Sequence, residues 1–119
     1  MASTVTREYA LRLLQQREEK EQQISTIIAT LNGPGMPGEF GSLVDPQGFP
    51  ISGVDLYQVR TLRRTLHGLR LDCQQLTNEI ERSLQVLLAR GESQDAESVH
   101  QVRQEQAAHR ARTNVQSQG

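Results

Sequence analysis

The chain has no tryptophan, a single cysteine, and only two tyrosines and two phenylalanines in 119 residues. Each scarcity excludes something. One thiol, Cys73, cannot form an internal disulfide framework, and it fits a reducing compartment. So few rings rule out an aromatic-rich core and suit helices packed along a Leu/Ile seam. No apolar run approaches the ~18–20 residues needed to span a bilayer, and the N-terminus lacks the basic-then-apolar order of a signal peptide. A net charge of −1 gives no global field toward nucleic acid or membrane. His67, His100 and His109 lie at neither i+3 nor i+4 from one another or from Cys73. That spacing offers neither a metal site nor a Cys/His nucleophile pair, so no catalytic residue, metal or cofactor is expected.

Proline and glycine are absent from long stretches and crowded into one. All four prolines and five of the nine glycines fall in residues 32–51. Proline lacks the donor N–H and glycine is entropically costly in a helix, so this segment interrupts an otherwise helical chain. An all-α fold follows: an antiparallel two-helix hairpin resembling a coiled coil, in residues 1–91, with a polar tail in 92–119. The first helix is expected over about 6–31. Ala10, Leu14, Arg17, Glu21, Ile24, Ile28 and Leu31 keep to one stripe there, widened by Leu13 and Ile27. Thr4 or Thr6 can cap it, and Asn32-Gly33 can end it in the left-handed conformation.

The loop at 32–51 divides in two. Gly33-Pro-Gly-Met-Pro-Gly38 reads as a flexible, featureless linker. It lacks the Gly-Lys-Ser/Thr step of a phosphate-binding loop, and its prolines remove donors such a loop needs. Asp45-Pro-Gln-Gly48 has the residue order of a type I turn, so its flanks Leu43-Val44 and Phe49 form a candidate short β-hairpin.

The second helix is expected over about 52–90. Ser52-Gly-Val-Asp55 reads as a capping box, with Ile51 and Leu56 as a hydrophobic staple. Val59, Leu62, Leu66, Leu69, Cys73, Leu76, Ile80, Ser83 and Leu87 then hold the three/four spacing of a buried seam. Arg90-Gly91 supplies a basic last turn and a C′ glycine. At ~1.5 Å per residue this helix outruns the first by ~20 Å, leaving Ile80, Leu84, Leu87 and Leu88 without a partner from it. The N-terminal residues, the tail or a second molecule must cover them, and self-association through Ile80–Leu88 is one expectation. The tail offers only Val99, Val102 and Val115 as larger apolar residues. It is expected to be disordered or marginally helical, for want of apolar area to offset ordering entropy.

With Val59 and Leu62 in the seam, Tyr57, Arg60, Arg64 and His67 fall on the opposite side, flanked by Arg63 and Arg70. Six arginines face four acids over residues 52–90. An ordinary solvated face and a protein-docking surface both fit, since Tyr and Arg often anchor interfaces. Nucleic acid fits poorly, because the patch is small on a chain of negative net charge.

The stretch Leu43-Val-Asp-x-x-Gly-Phe-Pro50 followed by Val54-Asp-Leu-Tyr-Gln-Val-Arg60 resembles the N-terminal domain of the proteasome non-ATPase regulatory subunit nine family. The resemblance covers about residues 10–90. It implies a non-enzymatic assembly chaperone of the regulatory-particle base, in cytoplasm and nucleus, that binds the C-terminal domain of one AAA-ATPase subunit until the ring is built. Family members continue into a PDZ domain that does not appear in this sequence. The resemblance and the outward face together make Val44, Asp45, Gly48, Phe49, Pro50, Leu56, Tyr57, Arg60 and Arg64 the candidate partner-binding region. Ile51 and Gly53 replace a basic residue and an aspartate usual in the family, and Pro34 replaces an aliphatic residue. Contacts through those charges would not carry over.

Overall fold

Among the described residues, three helices account for most of the chain. The computed structural model describes residues 4–118, and side chains over 4–113. The helices are α1 (Arg7–Leu31), α2 (Leu56–Ala89) and α3 (Ser93–Gln118). The class is all-α: among the described residues the only β pairing is an isolated bridge between Val44 and Pro50. The short hairpin expected there reduces to that bridge around a turn.

Local chemistry sets the helix ends. Thr6 caps α1, its Oγ1 accepting from the Tyr9 N–H at 3.0 Å. Asp55, rather than Ser52, caps α2: its Oδ1 accepts from the Gln58 N–H at 3.1 Å. Helix from Ser52 onward is excluded by Gly53, whose φ of 78° breaks the helical path. The staple moves with the cap, from Ile51/Leu56 to Val54 and Val59, which share one core cluster. At the far end Gly91 (φ 78°) closes a Schellman motif. Its N–H donates to Leu88 O at 3.0 Å, and that of Glu92 to Leu87 O at 2.9 Å.

The chain divides into two units, to both of which α1 and α2 contribute. One unit comprises residues up to Glu18 together with those from Gln74 on. Its core is Ala10, Leu13, Leu14, Ile80, Leu87, Ala96 and Val99, with Val5, Tyr9, Leu84 and Val102 packed against it. Of the two expectations for the tail, disorder or a marginal helix, the structure has the helical one, as α3. Its small residues Ala96 and Val99 are buried, and polar contacts reinforce them. Arg110 pairs with Glu18 at 2.7 Å, Arg103 pairs with Glu81, and Arg7 Nε donates to Ser98 Oγ at 2.9 Å. The expected opening for self-association changes too. Ile80 and Leu87 are fully buried and Leu84 is partly so; only Leu88 stays exposed. Polar residues in the seam find partners: Arg17 is buried and donates to Thr77 Oγ1 at 3.1 Å, and Ser83 Oγ donates to Glu79 O at 2.9 Å. Tyr9 OH donates to Glu79 at 3.0 Å. Glu79 also pairs with Arg82, which holds its carboxyl below the usual range, while the bond to Glu79 raises the Tyr9 phenol.

The second unit is Glu19–Cys73. Ile24 and Leu31 of α1 pack with Val59, Leu66, Leu69 and Cys73 of α2, and Ile27, Ile28, Met36, Leu43, Val54 and Leu62 close around them. Lys20 and Asp72 approach within 3.7 Å across the same two helices. The loop makes contacts that the featureless-linker reading did not foresee. Met36 joins the core, and the Gly38 N–H donates to Leu31 O at 2.8 Å. Asn32 and Gly33 keep negative φ, and the first left-handed residue after α1 is Gly35 (φ 75°).

Candidate partner-docking face

The candidate region lies in the Glu19–Cys73 unit, and its residues split into two kinds. Asp45 is occupied by its own turn. Its Oδ1 accepts from the N–H groups of Gln47 at 3.0 Å and Phe49 at 2.9 Å. The turn closes through Gly48 N–H to Asp45 O at 2.9 Å and Asp45 N–H to Phe49 O at 2.7 Å. Gly48 has a φ of 89°, which a side chain would strain. Pro50 bridges Val44, and the Ile51 N–H donates to Leu43 O at 3.1 Å. Asp45, Gly48 and Pro50 thus brace the turn. Leu56, the first residue of α2, is half-buried.

The remaining candidates face outward. Phe49 is 65% exposed, Tyr57 81% and Val44 50%. Arg60 and Arg64 are exposed as well. Tyr57, Arg60, Arg64, His67 and Leu71 alternate three- and four-residue steps, so they form one stripe along α2, opposite the seam. Among the described residues, no hydrogen bond or ion pair engages Arg60, Arg64 or His67.

Two flanking arginines have structural work that their spacing did not reveal. Arg63 Nη2 donates to Gly38 O at 3.0 Å and Gly41 O at 2.8 Å, and its Nε donates to Gly38 O at 3.2 Å. One guanidinium thereby holds two loop carbonyls against α2. Arg70 pairs with Glu39 at 2.7 Å. Between these anchors Phe40 stands 89% exposed. It borders a cavity of about 240 Å³ lined also by Glu39, Arg63, Leu66, His67 and Arg70. Phe40 was missed from sequence although a signal existed: it is one of two phenylalanines, set between Glu39 and Gly41-Ser42, small or polar neighbours.

The titratable groups of this face are arginines, one histidine, Tyr57, and carboxylates already committed to a cap, a turn or an ion pair. Cys73 is buried in the core cluster. Among the described residues no group of three or more His, Cys, Asp or Glu could hold a metal, and no helix is long and apolar enough to cross a membrane.

Comparison with known proteins gives consistent likenesses. The family model for the Nas2 N-terminal domain matches residues 10–88. The chain is 39% identical over 83 residues to the 26S proteasome non-ATPase regulatory subunit 9 of Drosophila melanogaster, covering 67% of this chain and 36% of that protein. It is 36% identical over 93 residues to the Rattus norvegicus protein of the same name, covering 78% and 42%. For the Homo sapiens protein the identity is 34% over 118 residues, covering 99% and 52%. The chain thus spans about half or less of the length of these relatives. No solved structure matches it significantly.

Proposed function

Because the chain belongs to the Nas2 N-terminal domain family, we propose that it assists assembly of the proteasome regulatory particle as a non-enzymatic chaperone, docking on the C-terminal domain of one AAA-ATPase subunit of the base. The observation that carries this reading is the family match over residues 10–88, which takes in most of α1, nearly all of α2 and the whole Leu43–Arg60 stretch. The surface supports it. A braced turn presents Val44 and Phe49, and α2 presents Tyr57, Arg60 and Arg64, residue types that anchor protein interfaces. A cytoplasmic and nuclear location belongs to the same proposal.

The test is direct binding of the chain to purified C-terminal domains of the base ATPase subunits. One subunit should bind selectively, and Tyr57→Ala with Arg60→Ala should weaken that binding by about tenfold or more. The helical circular-dichroism signal should stay intact, since both side chains lie outside the core. Unchanged affinity would remove this face from the interface. Absence of binding to every base ATPase would remove the proposed role.

A further inference from the structure

The outer face of α2 carries a charge pattern that goes further than the presence of anchors. Residues 56–71 contain four arginines and no acid, in a chain whose net charge is −1. Arg63 is committed to the carbonyls of Gly38 and Gly41, and Arg70 to Glu39. Arg60 and Arg64 are one helical turn apart and free to meet a partner. His67 and Leu71 continue the same stripe, and the cavity under Phe40 opens beside His67. At about 240 Å³ it falls below the ~300–1,000 Å³ of small-molecule pockets, so it suits a single inserted side chain. Its walls explain what that side chain should be. Phe40 and Leu66 supply apolar surface, while the aliphatic stems of Arg63 and Arg70 are held in place by their carbonyl and carboxylate partners.

We propose that this cavity, with Arg60 and Arg64, is a two-part recognition site for an acidic surface of a partner protein. One bulky apolar side chain enters between Phe40 and Leu66, and neighbouring carboxylates pair with the two free arginines. The identification of the partner as a proteasomal ATPase rests on the reading above; the chemistry of the site does not. Complementarity decides between protein and nucleic acid. Two free arginines neutralise about two phosphates, giving a log–log salt slope near −2, which is weak retention at physiological salt. The same arginines, exposed on α2 near a half-open cavity of mixed polar and apolar lining, suit a carboxylate pair, because guanidinium and carboxylate form charge-assisted, bidentate hydrogen bonds.

The experiment uses the full chain with two probes. The first is a helical peptide bearing one leucine flanked by glutamates, with companions in which the glutamates become lysine or the leucine becomes alanine. The second is the set of purified base ATPase domains. The acidic peptide should shift the NMR resonances of Phe40, Leu66 and His67, and each companion should bind about tenfold more weakly or not at all. Arg60→Glu with Arg64→Glu should abolish binding, Phe40→Ala should weaken it, and Arg12→Glu on exposed α1 surface should leave it unchanged. Peptide recognition without ATPase binding upholds the site and overturns the assembly role. ATPase binding indifferent to Arg60→Glu with Arg64→Glu overturns the site and leaves the role. Equal binding of the lysine peptide, or tighter retention on single-stranded RNA than on the acidic peptide, also overturns the proposal.

Discussion

At the scale of single residues, glycine shows how one residue type serves opposite ends. Gly41 lies where a Cβ would sit 2.1 Å from the Pro37 carbonyl oxygen, so the loop can close there only without a side chain. Gly68 sits inside α2, and a Cβ there would meet nothing within 4 Å. Gly68→Ala should therefore stabilise the protein by about 0.5–1 kcal/mol, the backbone entropy glycine gives up in a helix. Gly41→Ala should destabilise it by about 1–3 kcal/mol, as the loop is forced off Pro37. Urea unfolding of the two variants beside the parent measures both, and equal midpoints would contradict the contrast. Sequence reading can place Gly68 as a weak point of a helix, because helix propensity is local. It passed over Gly41, because the close approach arises only when the loop has folded.

At the scale of elements, α1 and α2 were largely legible. Of the nine seam positions read along α2, seven are buried and Leu62 and Leu76 are half-buried, because large apolar residues at helical period leave one face to hide. The start of α2 shifted from Ser52 to Leu56 because two capping signals overlap there. Asp55 takes the capping role through Gln58, while Gly53 turns the chain before it. The loop was the larger miss. Its order depends on Arg63, 22 to 25 positions further along the chain, which no local pattern reveals. Arg63→Ala should release Gly38 and Gly41 without melting α2. Amide exchange should then rise across residues 36–43 and stay unchanged in the middle of α2. Unaltered protection in the loop would show that Met36 packing holds it alone. The candidate face divides along the same line. Asp45 and Gly48 were recognisable as turn residues, whereas the separation of bracing from presented residues required the hydrogen bonds.

At the scale of the whole molecule, α3 covers apolar surface that α2 would otherwise expose. Ala96 and Val99 close the core over Ile80 and Leu87, with Arg103 and Arg110 paired at the rim. Ending the chain after Gly91 should uncover those two residues, at ~1.5–3 kcal/mol for each large side chain returned to water. The truncated protein should melt at lower temperature and self-associate with rising concentration in sedimentation, while the full chain does not. A truncated chain as stable and as monomeric as the parent would mean that α3 contributes nothing to this core. The expectation of self-association through Ile80–Leu88 thus passes from the intact chain to the shortened one.

Sequence alone determined the all-α class, the two seams, the turn at Asp45–Gly48 and the close of α2 at Gly91. These depend on periodicity and on hydrogen bonds between near neighbours, which the order of residues records directly. Only the tertiary structure decided that 93–118 is a helix, that the loop is held, and that Phe40 stands over a cavity between anchored arginines. Those features rest on contacts such as Arg7 with Ser98, 91 positions apart, and Arg63 with Gly38, 25 apart. In each the groups involved are small, polar or isolated, and they gain their energy only once the larger seams have brought them together.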